Sequence, residues 1–85
     1  MRRGTYRVKN VIVNGHGSPL TDLSEVVAAM AGDHKVINIK LKNGRTGSFS
    51  AKAHKNGQSV AMTEPHEGTR ATLFEGRLGL RLKVG

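Results

Sequence analysis

The chain has no cysteine and no tryptophan, and it has only one tyrosine and two phenylalanines. The absence of cysteine excludes disulfides and thiolate metal sites. The scarcity of aromatic rings disfavours sequence-specific binding of single strands, in which several rings on a sheet stack against bases. Only 36% of the 85 residues are apolar. We therefore expect one small domain (1–85) with a thin stability margin, and a homodimer could bury what the monomer cannot.

Long hydrophobic runs are also lacking near the start of the chain. Met1–Thr5 contains no apolar run, and Val11–Val13 is too short for the core of a signal peptide or for a membrane span. We therefore expect a cytoplasmic protein without a membrane partner. Residues 1–4, which include Arg2 and Arg3, are predicted to form a flexible basic arm.

Acidic residues are few, with six Asp and Glu against fourteen Lys and Arg, which gives a formal charge of +8. Solubility alone typically needs a smaller charge in a domain of this size. An excess of this kind favours a phosphate backbone, an anionic membrane or an acidic protein surface as the partner. Among these partners, nucleic acid is the expectation.

Apolar and polar residues alternate with the period of a half-buried strand in several segments. In Lys35–Lys42 the odd positions Ile37, Ile39 and Leu41 are apolar, and Asn38, Lys40 and Lys42 alternate with them. Thr5–Val13 reads as the first strand. Between these two strands a short helix is predicted from an N-cap at Thr21 to a C-cap at Gly32. Its apolar side is formed by Leu23, Val26, Val27 and Met30.

Turn residues predict how the later strands pair. Asn56-Gly57 favours a two-residue hairpin that pairs Ala51 with Met62. A three-residue loop at 43–45, or a bulge near Gly44 or Gly47, would keep Phe49 on the apolar face, opposite Ile39.

The last hairpin is predicted around Glu75-Gly76, between strands at 70–74 and 77–84. This turn pairs Leu73 with Leu78 and places Arg70 opposite Arg81. Like charges in that position are unfavourable unless an anion or an acid lies between them. The pair is therefore a hint of function, although a longer turn would remove it.

These elements predict an α+β domain of order β-α-β-β-β-β. One short helix would pack on an antiparallel sheet of five or six short strands, which could close into a barrel. The helix is expected on the side of the sheet opposite the basic residues.

Basic residues recur on the polar face of the predicted strands and in the turns between them. Exposed lysines also protect strand edges from aggregation, which would explain some of them without any ligand. Their agreement over several strands favours contact with a phosphate backbone. The predicted nucleic-acid-binding residues are Arg7, Lys9, Lys40, Lys42, Arg45, Lys52, Lys55, Arg70, Arg77, Arg81 and Lys83.

The sequence gives little support for metal binding or catalysis. Phe74 falls on the outer face and is predicted to contact a partner. The four histidines lack metal-ligand spacing, and Glu64, His66 and Glu67 read as an ordinary polar loop. No nucleophile, base and acid can be placed together. We therefore expect no catalytic residues, no metal and no cofactor.

Three functions remain open at this point. The first is a non-enzymatic domain that binds nucleic acid with a cationic sheet face. The alternative is a small module that docks on an acidic surface of a larger nucleic-acid-processing machine and inhibits or regulates it. The third is a structural assembly subunit.

Overall fold

The computed structural model describes residues 1–53 and 59–85. These residues form one helix and six strands in the order β-α-β-β-β-β-β. The elements are β1 (Gly4–Val13), α1 (Leu23–Met30), β2 (His34–Leu41), β3 (Thr46–Lys52), β4 (Ser59–Thr63), β5 (Arg70–Gly76) and β6 (Gly79–Val84).

The strands pair antiparallel in chain order and close into a barrel, because β6 returns to β1. β1 pairs with both of its neighbours, each along a different part of its length. Gly4–Arg7 pairs with β6, while Val8–Val13 pairs with β2 after a bulge between Val8 and Asn10. Closure leaves the sheet without a free edge. The prediction of one helix on an antiparallel, barrel-forming sheet is confirmed, with six strands.

The interior of the barrel is aliphatic except for one ring, that of Phe49. Phe49 is fully buried, as are Ile37, Leu73 and Leu82 on the strands around it. No polar or charged side chain among the described residues is buried. The inward parity predicted for Ile37, Ile39 and Leu41 is thus confirmed, and the polar face of each strand forms the outer wall.

α1 covers the end of the barrel at which β1 ends and β2 begins. The helix contacts β1 and also β5, although β6 lies between these two strands in the sheet. Its residues Leu23, Val26 and Met30 are buried in the same core as the strand residues. The helix therefore packs on the core side of the sheet, opposite the basic residues, as predicted.

The other end of the barrel carries Met1 and the loop between β4 and β5. The side chain of Met1 packs against the core, and Gly47 leaves the room for it. A Cβ atom on Gly47 would lie 2.7 Å from Cε of Met1 and 2.8 Å from Cε2 of Phe49. Gly4, predicted within the basic arm, is the first residue of β1.

The loop between β2 and β3 has the predicted length of three residues, but the two strands pair in a different register from the predicted one. Phe49 faces Ile37 rather than Ile39, and the loop is 42–44, closed by the Leu41 amide donating to the Arg45 carbonyl at 2.8 Å. The shift is by two residues on one strand, so each side chain keeps its face. Between β3 and β4, Ala51 pairs with Met62 as predicted. The predicted Asn56-Gly57 turn lies outside the described residues.

The predicted turn of the last hairpin is wrong. Arg77 and Leu78 form the turn, and Gly76 and Gly79 face each other beside it. Leu73 consequently pairs with Leu82, which buries both residues, whereas Leu78 is 66% exposed. The predicted pair of Arg70 and Arg81 does not form. The burial of Leu73 and Leu82 favours the observed register more than the turn preference of Glu75-Gly76 favours the predicted one.

The helix begins one residue later than predicted, because Asp22 is the N-cap. Its Oδ1 accepts hydrogen bonds from the Ser24 amide at 2.8 Å, the Glu25 amide at 3.3 Å and the Ser24 hydroxyl. The Ser24 hydroxyl and then the Glu25 amide lower the pKa of the Asp22 carboxyl from its ordinary value of 3.8. At the other end, Ala31 is the C-cap in the left-handed region, and Gly32 follows it.

Replacing Asp22 with alanine is expected to lower the melting temperature at neutral pH, because two helix amides lose their acceptor. A carboxyl with a lowered folded pKa stabilises the fold above its unfolded pKa and loses this effect as the pH falls through the folded value. The difference between wild type and Asp22→Ala should therefore shrink in melts at low pH. Asp22→Asn, which keeps an acceptor without the charge, is the control and should lose less. A difference that stays constant down to low pH would contradict the assignment.

Candidate nucleic-acid interface

The outer wall of the barrel carries many basic residues and few acidic ones. Of the six acidic residues, Asp22, Glu25 and Asp33 lie in or beside α1, and Glu64 and Glu67 lie in the loop between β4 and β5. The sixth is Glu75, near the end of β5. In the described parts of the chain, no Lys or Arg side chain lies within 4.0 Å of a carboxylate. The wall therefore presents cations that this chain does not neutralise.

Arg7 on β1 lies directly opposite Arg81 on β6. Both side chains point outward, because inward and outward residues alternate along each strand and both arginines lie at outward positions. Like charges in opposed positions destabilise a sheet pair. The predicted pair of Arg70 and Arg81 is absent, but Arg81 is opposed to a different arginine, Arg7, where β6 pairs with β1.

The side chain of Arg81 lies against Gly76 on the neighbouring strand. A Cβ atom on Gly76 would be 2.8 Å from Cγ of Arg81 and 3.4 Å from its Nε. Glycine at this position therefore lets the arginine side chain lie close to the wall. Arg81 is also opposite Phe74 on β5, which is half-buried.

Lys83 extends this group along β6. It lies two residues beyond Arg81 on the same face, between Thr5 on β1 and Thr72 on β5. We refer to Arg7, Arg81 and Lys83 as the β1–β6 patch. The patch combines two guanidinium groups, which can bind a phosphate through paired hydrogen bonds, with one ammonium group.

A second basic group flanks β4. Lys52 on β3 lies opposite Ala61, and Arg70 on β5 lies opposite Thr63. On the far side of Lys52 is His34, whose ring nitrogens lie 3.2 and 3.3 Å from the Ser50 hydroxyl. Thr72 and Lys83 are opposite each other, so this group and the β1–β6 patch are neighbours on the wall.

The remaining predicted residues lie elsewhere. Lys40 on β2 is between Asn10 and Thr46, and β1 separates it from β6. Lys9 is exposed at the bulge of β1. Three predicted residues lie in turns rather than on strands, namely Lys42, Arg45 and Arg77. Lys55 lies outside the described residues. The closed barrel thus distributes the predicted surface around its wall and brings five of the eleven residues together, namely Arg7, Lys52, Arg70, Arg81 and Lys83.

Sequence reasoning missed the short residues that lie between Lys52 and Arg70. Ser50, Ala61, Thr63 and Thr72 all point outward on β3, β4 and β5 and form a floor between longer side chains. Their positions follow from the strand parity. Their adjacency depends on the pairing of β4 with both of its neighbours, whereas the adjacency of Arg7 and Arg81 depends on the pairing of β1 with β6.

The loop between β4 and β5 is bound to the start of the chain. The Met1 ammonium donates to Oε1 of Glu64 at 3.1 Å and to Oε2 of Glu67 at 3.4 Å. The hydrogen bond to Glu64 is the main reason that the pKa of this ammonium is raised. No group of three or more possible metal-ligating side chains occurs among residues 1–53 and 59–85.

In the same residues, no helix has the length and apolar character needed to cross a membrane. Comparison with known proteins finds no protein-family model, no curated protein and no solved structure that matches this chain.

Proposed function

We propose that this protein is a non-enzymatic nucleic-acid-binding domain of the cytoplasm that contacts the phosphate backbone with the basic wall of its barrel. The observation that carries the proposal is the opposition of Arg7 and Arg81, with Lys83 beside them. Among residues 1–53 and 59–85, no carboxylate lies within 4.0 Å of these side chains. An anion between the two arginines turns an unfavourable pair into a favourable bridge.

The charge distribution supports a polyanion over a single small anion. Lys52 and Arg70 lie on the same wall as the β1–β6 patch, and only small or hydroxylated residues separate the two groups. Hydroxyl groups as well as basic side chains commonly contact phosphate oxygens. Repeated phosphates along one backbone can therefore be matched by repeated cations on the wall.

Salt-titrated binding to duplex DNA, single-stranded DNA and RNA in parallel tests the proposal. Five phosphate contacts predict a slope of log affinity against log salt of about −3.5 for single strands and about −4.5 for duplex DNA. Affinity should then fall about a hundredfold or more between about 50 and 200 mM salt. The proposal fails if no nucleic acid binds, or if the affinity is the same at low and high salt.

The alternative is a module that docks on an acidic surface of a nucleic-acid-processing machine. Its specific support is the exposure of Ile12 and Val36, 43% and 41% exposed, on the neighbouring strands β1 and β2. Exposed apolar residues on neighbouring strands suit a protein interface. Recovery of one stoichiometric protein with the tagged domain after nuclease treatment would favour this function over the first.

A further inference from the structure

A shallow groove crosses the barrel wall from β3 to β5. Its floor consists of the outward residues Ser50, Ala61, Thr63 and Thr72, which are opposed in pairs across β4. Lys52 stands on the β3 side and Arg70 on the β5 side, and both line the depression. The groove exists because β4 offers only short side chains to solvent between Lys52 on β3 and Arg70 on β5.

The dimensions of the groove limit what it can hold. Neighbouring strands lie about 4.8 Å apart, so the residues on β3 and β5 are separated by roughly 10 Å. The major groove of B-DNA alone is about 12 Å wide, so a duplex is too broad to enter. A single backbone can enter and place its phosphates between Lys52 and Arg70. Three hydroxyl groups of the floor then lie within reach of phosphate oxygens.

We propose that this groove holds the backbone of one strand of single-stranded nucleic acid. The inference rests on the proposed function and specifies its ligand. Lys52 and Arg70 contact phosphates, Ala61 supplies the clearance, and the strand continues toward the β1–β6 patch past Thr72.

Phe74 gives the groove a feature that only unpaired bases can use. It lies two residues beyond Thr72 on the same face of β5, opposite Ser59 and Arg81. An unpaired base can stack on such a ring, whereas a base inside a duplex is covered by its neighbours. This position assigns the predicted partner contact of Phe74 to a base. One ring gives stacking without sequence readout, which agrees with the scarcity of aromatic residues.

Filling the groove without changing the charge tests the inference. Ala61 is exposed, so Ala61→Leu should fold, which a thermal melt verifies. The probes are an oligothymidine of about 16 nucleotides, the upper site size of small barrel domains, and a duplex of equal length. Wild type should bind the single strand about tenfold more tightly than the duplex. Ala61→Leu should weaken binding of the single strand about tenfold.

The salt slope should barely change in Ala61→Leu, because no cation is removed. Thr46→Leu is the matched control, since Thr46 is exposed on β3 opposite Lys40, away from the groove. It should bind like wild type. If Ala61→Leu fails to fold, Lys52→Gln and Arg70→Gln take its place, and each should weaken binding of the single strand more than binding of the duplex; equal losses on the two probes overturn the groove.

The outcomes separate this inference from the proposed function. Salt-dependent binding that prefers the duplex, or that is unchanged in Ala61→Leu, overturns the groove and leaves the nucleic-acid-binding domain standing. If neither probe nor RNA binds to wild type at low salt, the proposed function itself fails.

Discussion

Replacing Phe49 with alanine should cost about 3–5 kcal/mol of stability, the range for deleting a buried phenylalanine. Phe49 is fully buried on β3 opposite Ile37. It is the one aromatic ring among the described buried residues, and its neighbours are held in place by a closed sheet. They cannot collapse fully into the space that the ring leaves, so the cavity term adds to the lost transfer energy.

The size of the chain makes this loss severe. At about 0.05–0.15 kcal/mol per residue, a domain of this length has a total stability of about 4–13 kcal/mol. Urea unfolding of Phe49→Ala should therefore show a midpoint far below that of wild type, or a population already partly unfolded without urea.

Phe74→Ala is the matched control for this measurement. The same side chain is deleted, but Phe74 is half-buried on the outer wall of β5. Its loss should be about 1 kcal/mol, the typical cost of a point mutation. Equal losses for the two variants would mean that the barrel interior is not the core described above.

The faces of the strands could be predicted from the sequence because parity is a local property. The period of two places Ile37, Ile39 and Leu41 on the inner face, and all three are buried. The error at Leu78 has the same origin. It shares the parity of Leu80, but the chain reverses at Arg77 and Leu78, so the alternation ends before it. A register that buries Leu82 against Leu73 outweighs a favourable turn sequence.

The composition of the site could not be predicted to the same extent, because it depends on which distant strands adjoin. Arg7 and Arg81 are separated by most of the chain, and only closure of β6 onto β1 makes them neighbours. One feature of the sequence could have indicated that these two arginines are neighbours. A sheet that closes must pair its first and last strands, and the outward parity of both arginines was readable. A single cationic face that includes both Lys40 and Arg81 requires β2 and β6 to be neighbours. In the structure β1 lies between these two strands, so the two residues are not adjacent.

Neutralising Arg7 or Arg81 should move stability and binding in opposite directions. Arg81→Gln removes a like-charge repulsion, so the free protein should gain about 0.2–1 kcal/mol, the size of a cross-strand pair term. The same variant loses charge-assisted hydrogen bonds to a phosphate, worth about 1.5–3 kcal/mol. The slope of log affinity against log salt should fall by about 1 for each arginine removed. Arg7→Gln should behave in the same way.

Lys35→Gln is the charge-matched control, because it lowers the net charge equally. Lys35 is half-buried on β2 opposite Ala51, and β1 separates it from β6. It should weaken binding less than Arg81→Gln and give no gain in stability. A general dependence on net charge predicts the same loss for both variants, whereas a phosphate held between Arg7 and Arg81 predicts the difference. The double variant is the sharpest case: its stability gain should not exceed that of either single variant, since the repulsion can be removed only once. If Arg7→Gln and Arg81→Gln each leave stability unchanged while binding falls no more than in Lys35→Gln, the opposed arginines have no special role in binding.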